Sequence, residues 1–475
     1  MKLVWLRRDL RAVDNTALRH AITSTQPVYA LYVATPNQWQ QQNLAPIQAD
    51  LIYRRLCALQ QELAELNVPL LYMECGDFSQ AAHAVATLSQ GLGVDQVLVN
   101  REYEYNEQQR DSLAQQQLKE QAVDWLALDD KCVIPPGQVL TKQGGYFKVF
   151  SPFKRAWLTQ FTPPIILTTP VAQKITVPEP FRHYLWSEAQ PFTYPRLTSK
   201  AWAADFDSIR QQLRQFCQYK VESYHQWRDY PAQDSTSRLS AYLAIGALSA
   251  RQCLARLYAL SQGEGLSSGA EVWLSEFMWR EFYQHLVAFE VRLSKGKDFH
   301  PWGAKLAWQN DLVAFERWCE GQTGFPIVDA AMRQLKQTGW MHNRLRMIVA
   351  SFLTKDLHID WRWGERHFMR HLIDGDYAAN NGGWQWCAST GCDGQPYFRI
   401  FNPITQGEKF DPTGAFIRQW VPELAKVPPT HIHRPWKWIQ VNTLLYPTPM
   451  VDHKVQREVT LRLYQEAKEW ENRIA

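Results

Sequence analysis

The chain of 475 residues lacks a charge surplus: 51 Lys and Arg face 47 Asp and Glu, leaving +4 at neutral pH. A molecule so nearly balanced is no polycation, so any nucleic-acid surface on it is a local patch. Long apolar runs are missing as well. No stretch approaches the ~20 apolar residues that cross a bilayer, and the opening Met1-Lys2-Leu3-Val4-Trp5-Leu6-Arg7-Arg8-Asp9 meets an acid too soon for a secretory signal. No membrane association is expected. The eight cysteines are scattered and form no C-x-x-C pair, the nearest two being Cys387 and Cys392. That is neither a disulfide framework nor a zinc pattern, and it points to reduced thiols in the cytoplasm. Gly91-Leu92-Gly93 fails the G-x-G-x-x-G spacing, and no G-x-x-x-x-G-K-[ST] occurs. Ordinary dinucleotide and P-loop sites are thereby removed. There is no nucleophile-elbow motif, no fixed-period repeat and no low-complexity segment.

What is present fits a globular protein of two or three domains, with 45% hydrophobic and 21% charged residues. Tryptophan is abundant: 21 residues, sixteen of them after position 200. So many rings mean either a large core or chemistry that uses rings. The first 130 residues alternate short Val-, Leu- and Tyr-rich runs (Leu3–Leu6, Val28–Ala34, Leu70–Glu74, Gln96–Asn100, Trp125–Leu128) with helical stretches, the clearest being Ile47–Leu66 and Glu104–Gln121. This alternation predicts right-handed βαβ units and a doubly wound parallel sheet, whose ligands lie beyond the carboxyl ends of the strands. Residues 131–200 hold 10 of the 26 prolines and nine basic against two acidic side chains. They are expected to form an irregular connector, its basic excess being either solvated linker or ligand contact. From 201 to 475 the pattern turns helical, with Ala270–Phe289 and Trp340–Leu357 showing apolar spacing of three and four.

Four segments of this helical region concentrate chemistry. Thr236-Ser237-Arg238-Leu239-Ser240 places hydroxyls and a cation before an apolar run, which serves either as a plain N-cap or as a phosphate site. Glu276, Trp279, Arg280 and Tyr283 share one helical face at i, i+3, i+4, i+7, a combination unlike a core stripe although open to reading as a salt-bridged surface. Trp340-Met341-His342-Asn343-Arg344-Leu345-Arg346-Met347 lies in a stretch, 331–372, with eight basic against three acidic residues. Rings interleaved with cations make that stretch a candidate phosphate-contacting patch. Asp374-Gly375-Asp376-Tyr377-Ala378-Ala379-Asn380-Asn381-Gly382-Gly383-Trp384-Gln385-Trp386 is too polar and glycine-rich to be expected as a core helix; its glycines suit close approach to a flat ligand, its acids the acceptance of ribose or ring N–H groups. No metal site is expected. Asp374 and Asp376 have no EF-hand spacing, and His367 and His371 lack the Glu of H-E-x-x-H.

Taken together these strings resemble the photolyase/cryptochrome flavoproteins, most closely the class I cyclobutane pyrimidine dimer photolyases. The resemblance runs from Leu3-Val4-Trp5-Leu6-Arg7-Arg8-Asp9-Leu10-Arg11 through the four segments to Tyr397-Phe398-Arg399-Ile400-Phe401-Asn402-Pro403. It implies an α/β antenna domain (1–130), an interdomain connector (131–200) and an all-helical domain (201–475) that binds bent FAD and DNA. By resemblance Tyr224, Thr236, Ser237, Arg238, Leu239, Ser240, Arg344, Asp374, Gly375, Asp376 and Asn380 surround the flavin, Asn380 beside N5. The implied reaction is electron transfer from excited FADH⁻ to a pyrimidine dimer flipped out of UV-damaged DNA, followed by ring splitting and return of the electron. An already poorly stacked dimer costs little to extrude. Trp279 and Trp386 resemble the rings that bracket the dimer, Glu276 the carboxyl that hydrogen-bonds it and Met347 a lining residue. Arg228, Arg280, Tyr283, Asn343 and Arg344 match DNA-side positions. Trp384, Trp361 and Trp308 match the chain that carries electrons to an oxidised flavin.

Asn106, Glu107 and Lys295 match a site for a second antenna chromophore, methenyltetrahydrofolate, although Gln42 stands where some folate-binding relatives have histidine. A monomer without an obligate protein partner is expected. Related alternatives fit less well. Asn380 is not the aspartate typical of plant cryptochromes, both clamp tryptophans are present, and the chain ends at Ala475 without a long polar tail. The single-strand-preferring DASH group usually lacks the second clamp tryptophan, and a (6-4) photolyase is expected to place histidine at Met347. A class I aminoacyl-tRNA synthetase would need HIGH- and KMSKS-like strings, which are absent.

Overall fold

The computed structural model describes residues 1–189, 192–261 and 265–472. Five strands, β1 (Lys2–Leu6), β2 (Val28–Ala34), β3 (Leu70–Glu74), β4 (Gln96–Asn100) and β5 (Asp124–Leu128), form one sheet in the order β3-β2-β1-β4-β5. All pairs are parallel, Lys2 facing both Val28 and Gln96. Every residue of β2 is buried, which is why its sequence is an unbroken apolar run rather than an alternating one. The crossovers are α1 (Thr16–Thr23), α2 (Pro46–Glu65), α3 (Phe78–Leu92) and α4 (Tyr105–Glu120). Asn15 caps α1 by accepting the Leu18 N–H, Asp77 caps α3 by accepting that of Gln80, and Gly93 closes α3 at φ +65°. The α/β class and the strand runs expected from sequence are present, with strand ends within one residue of those expected.

By contacts the chain divides into two compact units, Met1–Glu222 with Ser237–Ser294 and Ile373–Asp376, and Ser223–Thr236 with Lys295–Leu372 and Tyr377–Ala475. The first is built on the sheet, with Leu3, Trp5, Tyr29, Leu31, Val85 and Val97 in its core. It also contains α5 (Phe150–Gln160) and α6 (Ser268–Phe289). The proline-rich stretch is thus less irregular than expected. Pro152 falls in the first turn of α5, where a missing N–H costs no intrahelical bond.

The second unit is helical. Among its elements are α7 (Asn343–Ser351), α8 (Trp361–His371), α9 (Tyr377–Cys387) and α10 (His453–Asn472). Trp318, Leu345, Ile348, Phe352, Trp361, Phe368 and Trp384 lie in its core. Two expectations are corrected here. The helix foreseen over Trp340–Leu357 starts only at Asn343, because His342 is extended and caps it, accepting the Arg344 N–H. Past Ser351 it widens to π geometry over Phe352–Asp356. The polar, glycine-rich segment judged unfit for a core helix is in large part α9, with Ala378, Asn381, Trp384, Gln385 and Cys387 buried. Its buried amides are tolerated because they bond each other: Gln385 Nε2 donates to Asn381 Oδ1 at 2.9 Å. No helix among the described residues is long and apolar enough to cross a membrane.

Candidate functional site

In the first unit, α6 separates its faces as the spacing predicts. Phe277, Met278, Glu281, Phe282, Gln284 and His285 are buried, while Glu276, Trp279, Arg280 and Tyr283 are half-buried on the other side. Trp279 stacks on Phe150 with centroids 3.6 Å apart and planes 8° from parallel. A ligand that stacks on Trp279 therefore meets the opposite ring face. Tyr283 follows at 5.8 Å. Arg280 is committed locally, its Nη1 donating to the Lys131 carbonyl at 2.8 Å.

The loop Asp374-Gly375-Asp376 is buried and held by amides. Gln48 Nε2 donates to the Ile373 and Gly375 carbonyls at 3.0 Å each, and Gln284 Nε2 to both oxygens of Asp376 at 3.1 and 3.3 Å. Gln284 Oε1 is buried with no partner among the described residues, an acceptor beside Asp376 that suits an N–H or O–H from a ligand. Lys131 lies 3.9 Å from Asp376 and 2.9 Å from Glu104, and Arg8 lies 3.8 Å from both Glu102 and Glu104. Burial works against charge here, yet Glu104 and Asp376 hold Lys131 above its ordinary value. Burial would likewise raise Glu102, but Arg110, Arg7 and Arg8 pull it down to about 2. Glu107 goes the other way. Burial, with Glu104 beside it, pushes its carboxyl up to about 7, and its Oε1 accepts Gln42 Nε2 at 2.9 Å. Asn106, next to it, is exposed.

The segment Thr236 to Ser240 is not the hydroxyl-capped helix start that one reading foresaw. A short helix begins at Ser240 with Leu239 at the cap and no side-chain cap bond. Arg238 takes φ +52°, the left-handed region that a residue with a Cβ seldom adopts.

In the second unit, Tyr224 is buried beneath the Arg228 guanidinium, 5.6 Å from its ring. Arg344 Nη2 pairs with Asp229 at 2.8 Å and lies 4.5 Å over Phe410, whereas Asn343 is exposed and Met347 half-buried. On α9, Asn380 Nδ2 donates to the Glu365 carbonyl at 3.0 Å, so this amide is oriented with its Oδ1 pointing elsewhere. Glu365 Oε1 accepts Asn381 Nδ2 at 2.9 Å, and burial raises Glu365 to about 7 against the pull of that bond and of Arg362. Trp384 and Trp361 are buried at 2% and 0%; Trp308 is half-buried and edge-on to Tyr464 at 6.5 Å. Gly364, one turn along α8 from Trp361, packs directly on the Trp384 ring. Trp361 Nε1 donates to Asp298 at 2.9 Å, which in turn accepts Arg362 Nη2 at 2.6 Å. Trp386 is half-buried against the same core, and Lys295 is exposed.

The basic stretch 331–372 supplies fewer surface cations than its composition promises. Lys355 is fully buried on Ser389 Oγ at 2.9 Å, burial lowering its amine to about 7. Arg333 pairs with Glu423, and Arg362 with Asp298 and Asp360. Sequence reasoning missed Glu281, which is fully buried and accepts the N–H groups of Val133 and Ile134 and the Trp157 Nε1–H at 2.6 Å. It also missed Gln48, Gln284 and Glu365. Their only signal was a polar residue at a position the helical period turns inward. Among the described residues no group of three His, Cys, Asp or Glu side chains could hold a metal ion.

Comparison with known proteins gives full-length matches. A family model described as DNA photolyase matches residues 2–174, and one described as FAD binding domain of DNA photolyase matches residues 273–466. The chain is 66% identical to a deoxyribodipyrimidine photo-lyase of Vibrio cholerae, covering 98% of this chain and 100% of that one. It is 49% identical to the Escherichia coli protein of the same name, covering 98% of each. Among solved structures it resembles a bacterial class III photolyase from Agrobacterium tumefaciens (TM-score 0.85, 34% identity, 98% of each chain). It also resembles an archaeal photolyase from Sulfolobus tokodaii with two FAD molecules (TM-score 0.83, 30% identity, 98% and 100%).

Proposed function

The chain belongs to the DNA photolyase family, and from that premise we propose that it is a deoxyribodipyrimidine photo-lyase, repairing cyclobutane pyrimidine dimers in UV-damaged DNA with light. The observation that carries this reading is the half-buried face of α6, where a carboxylate, an indole, a guanidinium and a phenol stand in register opposite the helix's buried side. When bound as FADH⁻, the flavin supplies an excited-state electron that opens the cyclobutane ring and is then returned. Tyr224, Thr236 to Ser240, Arg344, Asp374, Gly375, Asp376 and Asn380 would hold it. Supporting this are the uncapped N–H groups at Ser240, the acceptor Gln284 Oε1 beside Asp376, and the fixed amide of Asn380.

The chain's own side chains then divide the work. Trp279, one face closed by Phe150, offers its other face to the dimer; Trp386 and Met347 are the further side chains proposed to contact it. Glu276 hydrogen-bonds the dimer, and a carboxyl O–H donated there stabilises it once it carries negative charge. Arg228, Arg280, Tyr283, Asn343 and Arg344 serve the DNA side, Arg280 through the connector carbonyl it holds. Trp384, Trp361 and Trp308, graded from buried to half-buried, lead electrons inward. Glu107, with Asn106 and Lys295, would take a folate antenna; Gln42, where some folate-binding relatives have histidine, holds the Glu107 carboxyl. The antenna domain (1–130), connector (131–200) and flavin domain (201–475), a monomeric state and a cytoplasmic location belong to the same proposal.

The test is an absorption spectrum of the purified protein with blue-light repair of an oligonucleotide carrying one thymine dimer. Flavin bands with light-dependent loss of the dimer are expected. A flavin-loaded protein that leaves the dimer intact under light would overturn the reading. Glu276→Ala should lower repair per photon more than it lowers dark binding; an equal loss of both removes the role given to Glu276. Binding should weaken steeply with salt, as counterion release requires.

A further inference from the structure

Trp227 has no task in the reaction described above, yet 45% of its surface is exposed. A lone exposed tryptophan calls for no explanation. This one heads a row. Its ring lies 5.7 Å from that of Tyr230, Tyr230 lies 6.4 Å from Phe410, and Phe410 carries the Arg344 guanidinium at 4.5 Å and the Lys409 amine at 5.2 Å. Between them Asp229 pairs with Arg344 at 2.8 Å and approaches Arg228 at 4.0 Å. The backbone under the ring is fixed: Trp227 ends the short helix Tyr224–Trp227, and its carbonyl accepts Ser235 Oγ at 2.8 Å. Rings alternating with cations are how proteins hold unpaired nucleotides, bases stacking on the rings while cations follow the phosphates. Tyr230 is half-buried and Phe410 buried, so Trp227 is the ring of this row that is open to a base.

We infer that Trp227 is a stacking platform for an unstacked base of the damaged DNA, next to the lesion and outside the two bases being repaired. This rests on the repair reading. Extruding a dimer strips a stacking partner from each neighbouring base, and an exposed indole restores one. Such a contact contributes to affinity and leaves the electron-transfer step alone, and it is indifferent to base identity because every base has a π-face.

The test compares wild type, Trp227→Ala and Trp227→Phe as holoenzymes on three substrates: a duplex with one thymine dimer, the same lesion in a single-stranded oligonucleotide, and the thymine-dimer dinucleotide. Dark affinity is measured for the oligonucleotides, light-dependent repair at sub-saturating concentration for the dinucleotide. Trp227→Ala should bind the oligonucleotides about 5- to 100-fold more weakly, and Trp227→Phe should lose less. The salt slope should not change, because no phosphate contact is removed. The dinucleotide offers no neighbouring base, so its repair should not distinguish Trp227→Ala from wild type. Unaltered oligonucleotide affinity overturns the inference, and so does an equal loss on the dinucleotide, which would mean that the ring supports the lesion pocket or the fold. Wild-type repair run in parallel separates the two readings: no repair by wild type sinks the photolyase proposal, whereas repair without a Trp227 effect sinks only the platform.

Discussion

Replacing Gly364 by alanine sets two effects of known size against each other. Gly364 is interior to α8, and exchanging glycine for alanine inside a helix gains about 1 kcal/mol from propensity alone. Against that, a Cβ at Gly364 would stand 2.0 Å from Cη2 of Trp384, with Cζ3 at 2.4 Å and Cζ2 at 2.6 Å. The indole cannot yield cheaply. It is 2% exposed and walled by Phe368 at 5.0 Å and Trp318 at 6.1 Å. Overpacking a core costs about 1–3 kcal/mol and occasionally more, and an overlap this deep on a rigid ring belongs at the upper end. The net expectation is a loss of about 2 kcal/mol. Gly383→Ala is the internal control, since it lies in α9 one residue before Trp384 and its Cβ would meet nothing within 4 Å. It should keep the propensity gain, up to about 1 kcal/mol. Urea unfolding midpoints of the two variants should therefore move in opposite directions from wild type. A Gly364→Ala protein as stable as wild type would refute the reasoning, as would Gly383→Ala being the more damaging of the two. Displacing the ring should also slow flavin photoreduction by visible light in Gly364→Ala alone.

Trp308→Phe should leave repair by pre-reduced enzyme nearly intact and abolish rapid flavin photoreduction; an unchanged photoreduction rate removes Trp308 from the electron route. Glu281→Ala strips the acceptor from two backbone N–H groups and the Trp157 indole. At about 1–3 kcal/mol for each buried donor left unpaired, a loss of at least about 3 kcal/mol is expected, and a urea-midpoint shift worth under about 1 kcal/mol would contradict it. Glu365 has its carboxyl raised by burial from 4.5 to about 7, so the folded state binds a proton that the unfolded state has released. Its contribution to stability is present below the unfolded value and is lost as pH rises through about 7. Glu365→Gln, whose amide oxygen keeps the Asn381 bond, should flatten that decline and be the more stable protein at about pH 8; parallel stability–pH curves would refute it.

The sheet was legible because parallel strands announce themselves twice, by continuous apolar runs and by the helical stretches between them; β2, buried along its whole length, is the plainest case. The α6 face was legible because a carboxylate, two rings and a guanidinium cannot fall at i, i+3, i+4, i+7 and be core. The segment 374–386 misled because each of its residues is a poor core former taken singly. Asn381 and Gln385 enter the interior as a bonded pair whose other partners are distant in sequence: Glu365, sixteen positions from Asn381, and the backbone of Lys297 and Phe299 for Gln385. Trp384 in turn needs Gly364 to make room for it. Glu281 escaped for the same reason. Its three donors come from residues 133, 134 and 157, and no local pattern links them to α6.

Charge shows the limit most clearly. The near balance of +4 suggests a protein with little electrostatic business, yet Arg7, Arg8, Glu102, Glu104, Arg110 and Lys131 form a largely buried network that reaches Asp376. Stability does not account for it, since buried ion pairs roughly break even against well-packed apolar residues. Position does. Lys131 and Gln284 address the same carboxylate, while Gln48 holds the two carbonyls just before it, so Asp376 is constrained by both its backbone and its oxygens. A carboxylate held this way need not reorganise when a partner N–H arrives, which is the condition under which fixed charges act strongly. The cancellation that makes the net charge small is thus the same pairing that lets so many ions be buried, and the count of charges was the one number least able to show where they act.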